Sequence, residues 1–169
     1  MYNNLRYFLP LHIVLGITNW LPDNVIFLRF RGYLASFFFK KCGKNLRLGR
    51  NVTFYNSSKI KIGNSVYIAY GSWILGNENL EIEDDVMLGP YVVISPANHS
   101  KLDGSFSKGI PESGKLVIGK GSWIGAHSTL VLGASVGKGA LVAANSVLNK
   151  NTEENSLYAG VPAKFIKYI

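Results

Sequence analysis

An apolar residue returns every six positions over most of this chain, a period that neither an α-helix nor an open sheet of long strands would impose. Counted from Cys42, the leading positions are Cys42, Leu48, Phe54, then Ile62, Ile68, Ile74, then Ile82, Leu88, Ile94, then Ile118, Ile124, Leu130, and finally Val136, Val142, Leu148. Every one is apolar. With 47% apolar residues in the chain, one fixed frame would do this by chance at a rate on the order of 10⁻⁵. Two-residue additions, Ile60-Lys61 and Leu80-Glu81, set the first three repeats into coils that start at 42, 62 and 82.

The residue three places after each leader is Gly, Asn, Asp or His in eleven of fifteen cases, from Asn45 and Asn51 to His127, Gly139 and Asn145. Those side chains tolerate positive φ, so each hexapeptide is predicted to be a short strand ending in a left-handed corner. Two places before the next leader the slot is often small, as at Ser58, Ser72, Ser122, Ser128, Ala134, Ala140 and Ser146. Alternation then points these residues into a narrow interior. Three strands per coil, stacked in parallel, predict an all-β triangular prism over residues 42–153. Its open ends would expose unpaired strand edges, and residues 1–41 and 154–169 are the available covers.

The chain has 169 residues and 18.6 kDa, one domain with enough apolar material for a core. With 17% charged residues, 18 glycines and a mean hydropathy of +0.14 it is too apolar to be disordered. A single cysteine, Cys42, leaves no intramolecular disulfide and no Cys-based zinc site, and suits a reducing, cytoplasmic compartment. The formal net charge is +8, but residues 1–50 hold 8 of the 18 Lys/Arg and 1 of the 10 Asp/Glu, a net +7. The remainder is nearly neutral. The charge therefore belongs to an apolar, aromatic segment with no nucleic-acid motif. Pro10, Pro22, Asp23, Arg29 and Arg31 interrupt it before it reaches the roughly 20 apolar residues of a membrane span. Arg6 and the apolar run after it have the outline of a signal peptide, yet no small-x-small cleavage site follows. Two or three short helices are predicted here. They either cover the prism end or lie on an anionic membrane surface at the inner face, through cations such as Arg29, Arg31, Lys40 and Lys41.

The regular count fails once. The fourth coil is due near residue 102, yet the next leader is Ile118, so sixteen residues are inserted. The stretch 100–115 is polar and rich in Gly and Pro, the composition of a loop thrown out of a rigid scaffold, where binding and catalysis concentrate. His99 stands at its root. Imidazole can accept a proton at neutral pH, and no structural slot accounts for His99, so it is the candidate general base. His127 falls in a corner slot, which explains it without chemistry. His12 lies in the N-terminal segment with no such context. Asp103 in the loop is a candidate to orient His99 or bind an acceptor, and Asn79 is a further candidate acceptor contact.

Four stretches carry a resemblance. Ile82 to Val86 and on through Pro96-Ala97-Asn98-His99 is similar to the run from an Ile-Gly-Asp-Asn-Val coil start to the catalytic histidine of the hexapeptide-repeat acetyltransferases. Val117-Ile118-Gly119-Lys120-Gly121-Ser122-Trp123-Ile124-Gly125-Ala126-His127 resembles their VIGDNVWIGAN segment, Leu141 to Val147 their VIGAGSV, and Tyr158-Ala159-Gly160-Val161-Pro162-Ala163-Lys164 their terminal AGxPAK. The resemblance implies a left-handed parallel β-helix, here of about five coils, with an N-terminal helical segment, an excursion loop and a short C-terminal cap. It is the known exception to right-handed β crossovers. It also implies O-acetyl transfer from acetyl-CoA, particularly to sugars of capsules, O-antigens and exopolysaccharides, in a homotrimer with active sites between prisms. By the same resemblance the cofactor arm runs past the backbone of Ala126 and Ala144 to Pro162, with Lys150 and Lys164 near its phosphates and Trp123 on the cleft. The family's acceptor-binding asparagine falls at Ala69, so a galactoside substrate does not carry over. The histidine doublet of the polysaccharide branch is absent, with Ala97 two residues before His99.

Three other functions fit the same prism. An N-acetyltransferase acting on an amino sugar nucleotide would use the same base and cofactor. A γ-type carbonic anhydrase needs three histidine ligands, and only His99 and His127 lie in the prism, so no metal is expected. A non-catalytic scaffold would keep the fold and bind no acetyl-CoA.

Overall fold

The leading positions point inward. In a computed structural model describing residues 3–169, fourteen of them are buried and Cys42 packs half-buried against the same core. Burial of such aliphatic side chains, at about 1.5–3 kcal/mol each, is the main stabilising term of the prism. Burial also pushes the Cys42 thiol up to about 11. The small slots are inside too: Ser72, Ser122, Ser128, Ala134, Ala140 and Ser146 are at most 1% exposed. The serines stay satisfied by turning back to carbonyls, as Ser122 Oγ does to Gly119 O at 2.7 Å. Ser58 is the exception, half-buried beside the buried Ser57, because the two-residue addition puts a 3₁₀ turn at Ser57–Lys59.

Strands stack in three parallel ladders, one per prism face. Cys42, Ile62, Ile82, Ile118 and Val136 form one inward column, each opposite the next. On the second face Arg47–Leu48, Tyr67–Ile68, Met87–Leu88, Trp123–Ile124, Leu141–Val142 and Ser156–Gly160 lie in order, six rungs. The prism therefore has about six turns and is a left-handed β-helix, one turn more than the count of sixes gives. The sixth rung lies in the stretch expected to be only a cap. Leu157 and Tyr158 stack in parallel on Leu141 and Val142, but Tyr158 comes ten residues after Leu148, so counting in sixes misses it. The strand Ala163–Tyr168 then turns back antiparallel and closes that end.

Positive φ occurs at eleven of the fifteen corner slots, including Ser65 and Tyr91, which are not among the favoured types. Positions 57, 77, 97 and 151 fail, and each lies where the spacing departs from six. There the left-handed residues are instead Asn56 and Asn79, at 97 the chain leaves the prism, and after 151 the next left-handed residue is Asn155, stacked on Gly139 at a different edge.

The N-terminal segment is helical, with a π-helical turn at Asn4–Phe8, α1 at Leu9–Thr18 and α2 at Val25–Ser36. Asn24 caps α2 by accepting from the Phe27 amide at 3.0 Å. Both helices seat on the first coil, where Leu11, Leu15 and Ala35 join Leu46, Leu48 and Phe54 in one core. Arg31 corrects the expectation of a surface cation, since it is completely buried. Its guanidinium pairs with Asp23 at 3.0 Å and donates to the carbonyls of Leu48, Thr18 and Leu21 at 2.6, 3.0 and 2.9 Å. One side chain thus joins α1, α2 and the first coil. Among the described residues no helix is long and apolar enough to cross a membrane.

Candidate active site

The excursion is a hairpin arm. Ala97–His99 pairs antiparallel with Pro111–Ser113, His99 opposite Pro111. Beyond it Ser100 donates through both its amide and its hydroxyl to Ile110 O, at 3.4 and 2.9 Å. Further out Leu102 and Ser105 exchange backbone hydrogen bonds around a two-residue turn of Asp103 and Gly104, both at positive φ. Asp103 is therefore a tip residue at the far end of the arm. It makes no hydrogen bond or ion pair with His99 among the described residues. The His99 amide donates to Asn98 Oδ1 at 2.9 Å, and among the described residues its exposed ring makes no hydrogen bond or ion pair.

Asn79 lies on the same prism edge one coil earlier, where its side-chain oxygen accepts from Lys40 Nζ at 2.9 Å. The edge thus joins His99, Asn79 and the end of the N-terminal cover. Its carbonyl-type oxygen is partly occupied, and its NH₂ remains as a donor.

Four of the residues expected around the cofactor, Ala126, Ala144, Pro162 and Lys164, gather on another edge. Gly125 stacks so closely under the next coil that a Cβ there would stand 2.4 Å from the Ala144 amide nitrogen. Asn145 N donates to Ala126 O at 2.9 Å, which places Ala126 and Ala144 on successive rungs. Among the described residues neither the Ala126 nor the Ala144 amide donates to a protein group. Two small residues with free N–H groups make a strip on which an extended ligand could lay its own acceptors. The strip continues to the C-terminal turn, where Gly160 N donates to Ser146 Oγ at 3.1 Å and Pro162 and Lys164 are exposed. Lys150 does not join them: it is exposed between Leu148 of the third face and Asn151, which pairs with Ser135 of the first, on the edge from which His99 departs. Trp123 is half-exposed on the face before this strip, beside Met87.

Within one chain, then, His99 and the Ala126–Ala144 strip stand at opposite edges of the third face. A concavity of about 350 Å³ between Lys41, Lys61, Glu83 and Lys120 does not include His99. His127 occupies its corner at φ 59° and stacks on Tyr91, a contact that neither sequence position suggests alone. Among the described residues no group of three or more His, Cys, Asp or Glu gathers to hold a metal.

The hexapeptide repeat described for succinyl-transferase matches residues 115–150. WbbJ of Escherichia coli K12, which carries the name of a lipopolysaccharide biosynthesis O-acetyl transferase, is 36% identical over 137 residues, covering 74% of this chain and 66% of WbbJ. The chain thus spans just under two thirds of that relative. A galactoside acetyltransferase solved in complex with coenzyme A superposes with a TM-score of 0.83 at 27% identity, covering 95% of this chain and 79% of that one. AntD, an N-acyltransferase from Bacillus cereus solved with dTDP and coenzyme A, superposes at 0.61 with 25% identity, over 77% of this chain and 84% of its own. Repeat, prism and relatives agree, and the chain belongs to the hexapeptide-repeat acetyltransferase family.

Proposed function

We propose that the protein transfers an acetyl group from acetyl-CoA to a hydroxyl of a sugar or glycan precursor, with His99 as general base. The observation that carries this reading is the unengaged His99 ring at the root of the arm, on a prism that superposes closely on a coenzyme A-bound acetyltransferase. His99 takes the hydroxyl proton as the oxygen attacks the thioester carbonyl. The C–O bond forms, the C–S bond breaks, and the proton leaves with the thiol, giving ester and free CoA. Backbone N–H groups are suited to meet the tetrahedral oxyanion, and no protein nucleophile is needed. Cys42, inside the first coil with its thiol held protonated, is core material.

The donor fits the strip at Ala126 and Ala144, where side chains are small and amides are free. Trp123 flanks it, and Pro162 and Lys164 stand toward its phosphate end, while Lys150, on the edge of His99, would meet the phosphates of a donor held by a neighbouring prism. Asn79 and Asp103 are assigned to the acceptor side. Because His99 and this strip stand at opposite edges of one face, a site containing both needs a neighbouring prism, which supports a homotrimer with shared active sites. Light scattering should then give three chains per particle.

A screen of sugars and nucleotide sugars with acetyl-CoA, following free thiol, tests the reaction. Thiol release with an O-acetyl product supports it, and no release with any hydroxyl acceptor overturns it. The likeness to AntD favours a second reading, N-acylation of an amino sugar nucleotide. Mass spectrometry separates the two, since an amide survives mild base that cleaves an ester.

A further inference from the structure

The two capping helices are apolar on both sides. Leu11 and Leu15 of α1 and Leu28, Gly32 and Ala35 of α2 are buried toward the first coil. At about 100° per residue, the opposite face of α1 carries Leu9, Ile13 and Ile17, extended by Leu5 before the helix and Trp20 after it. These five are between 50% and 90% exposed. On α2 the opposite face carries Ile26, Phe30, Tyr33 and Phe37, all exposed. Both helices seat on the same coil, so both stripes point away from the prism at its end. A helix on a wet surface turns polar on that side, and an apolar patch of this extent marks an interaction surface.

The charges beside the patch favour one occupant. Arg6 Nη1 donates to Phe37 O at 3.1 Å, at the end of the α2 stripe. A concavity of about 280 Å³ between α2 and the first coil is lined by Arg29, Tyr33, Phe37 and Lys44 among others. The acidic residue of this region, Asp23, is already held by Arg31 and Arg50. The patch is thus rimmed by cations with no free acid among residues 1–50. A second copy facing it about a two-fold axis would set these cations against their equals. We propose that this end of the prism lies on an anionic lipid surface, its two apolar stripes at the acyl boundary and Arg29 and Lys44 on a headgroup phosphate.

The test is flotation of the full chain with vesicles of phosphatidylcholine, alone or mixed with phosphatidylglycerol. The expected result is binding to the mixed vesicles at low salt that weakens as salt is added. Ile17→Glu with Ile26→Glu, and separately Trp20→Ala, alter only exposed side chains, so unfolding temperatures should hold while binding falls roughly tenfold or more. Arg29→Gln with Lys44→Gln should remove roughly tenfold of the preference for anionic vesicles. Wild type that does not float at low salt, or floats equally with neutral vesicles, overturns the proposal. So does an Ile17→Glu, Ile26→Glu protein that only falls to a smaller oligomer in light scattering, which would make the patch a contact between chains.

Discussion

Gly32 of α2 lies directly against the Leu46 carbonyl of the first coil, so that a Cβ on Gly32 would stand 2.0 Å from that oxygen. Only a residue without a side chain lets the helix sit this close. Gly32→Ala must therefore lift α2 from the coil, at a cost of about 1–3 kcal/mol. Gly16 of α1 is the control, with nothing within 4 Å of an added Cβ. Gly16→Ala should hold or raise the unfolding temperature, because alanine favours a helix by up to about 1 kcal/mol over glycine. Equal melting of the two variants would show that the α2 seat is looser than the geometry gives.

Arg31→Met removes a buried cation that serves three carbonyls and Asp23. Methionine fills part of the volume and satisfies none of the acceptors, so we expect a loss of at least about 2 kcal/mol. For a chain of this size that is a fall of roughly 4–8 °C in Tm. A change within one degree would mean that water reaches the carbonyls.

His99→Ala should lower acetyl transfer by roughly two to four orders of magnitude, measured as free thiol release, and leave stabilisation by acetyl-CoA intact. His127→Asn should retain most activity and fold normally, since Asn145 takes the left-handed corner one rung away at φ 57°. A proposal with the two roles reversed would reverse these results.

Cys42 gives a pH prediction. Burial holds its thiol up to about 11, so at pH 8 only roughly one molecule in a thousand carries the thiolate. Labelling by a thiol-disulfide reagent at pH 8 should be at least tenfold slower in the native protein than in guanidinium. Because the folded value is raised, the contribution to stability is complete below the ordinary thiol range and is lost as pH rises toward 11. Equal labelling rates in the two states would place Cys42 outside the core.

The prism was legible because its two signals are local. Inward alternation fixes Ile68 or Leu88 from the nearest neighbours, and positive φ selects Asn or Gly at a corner whatever lies elsewhere. What failed depends on position across the molecule. Asn79 rather than Asn77 is left-handed because a two-residue addition widens that corner. Arg31 reads as one more cation of a basic segment, and only its partners 8 to 17 residues away turn it inward. The outward stripe is visible as Leu5, Leu9, Ile13 and Ile17 at intervals of four, but the sequence cannot say which side of an apolar helix meets the core. The break in period singles out His99. The distance from it to the Ala126 strip, a matter of which prism edge each occupies, has no such local signal.

The arm leaves and rejoins the prism without disturbing its register. Leu80 pairs with Ile60 on one side and with Leu116 on the other, although the second step spans 36 residues and the first 20. Closing the longer connection costs only about 0.5 kcal/mol more, since the entropy of closure grows with the logarithm of length. Coils before and after the arm touch only their neighbours, so they do not sense what the arm contains. A lineage can therefore lengthen, shorten or rewrite this one segment while inheriting the stacked coils on either side of it unchanged.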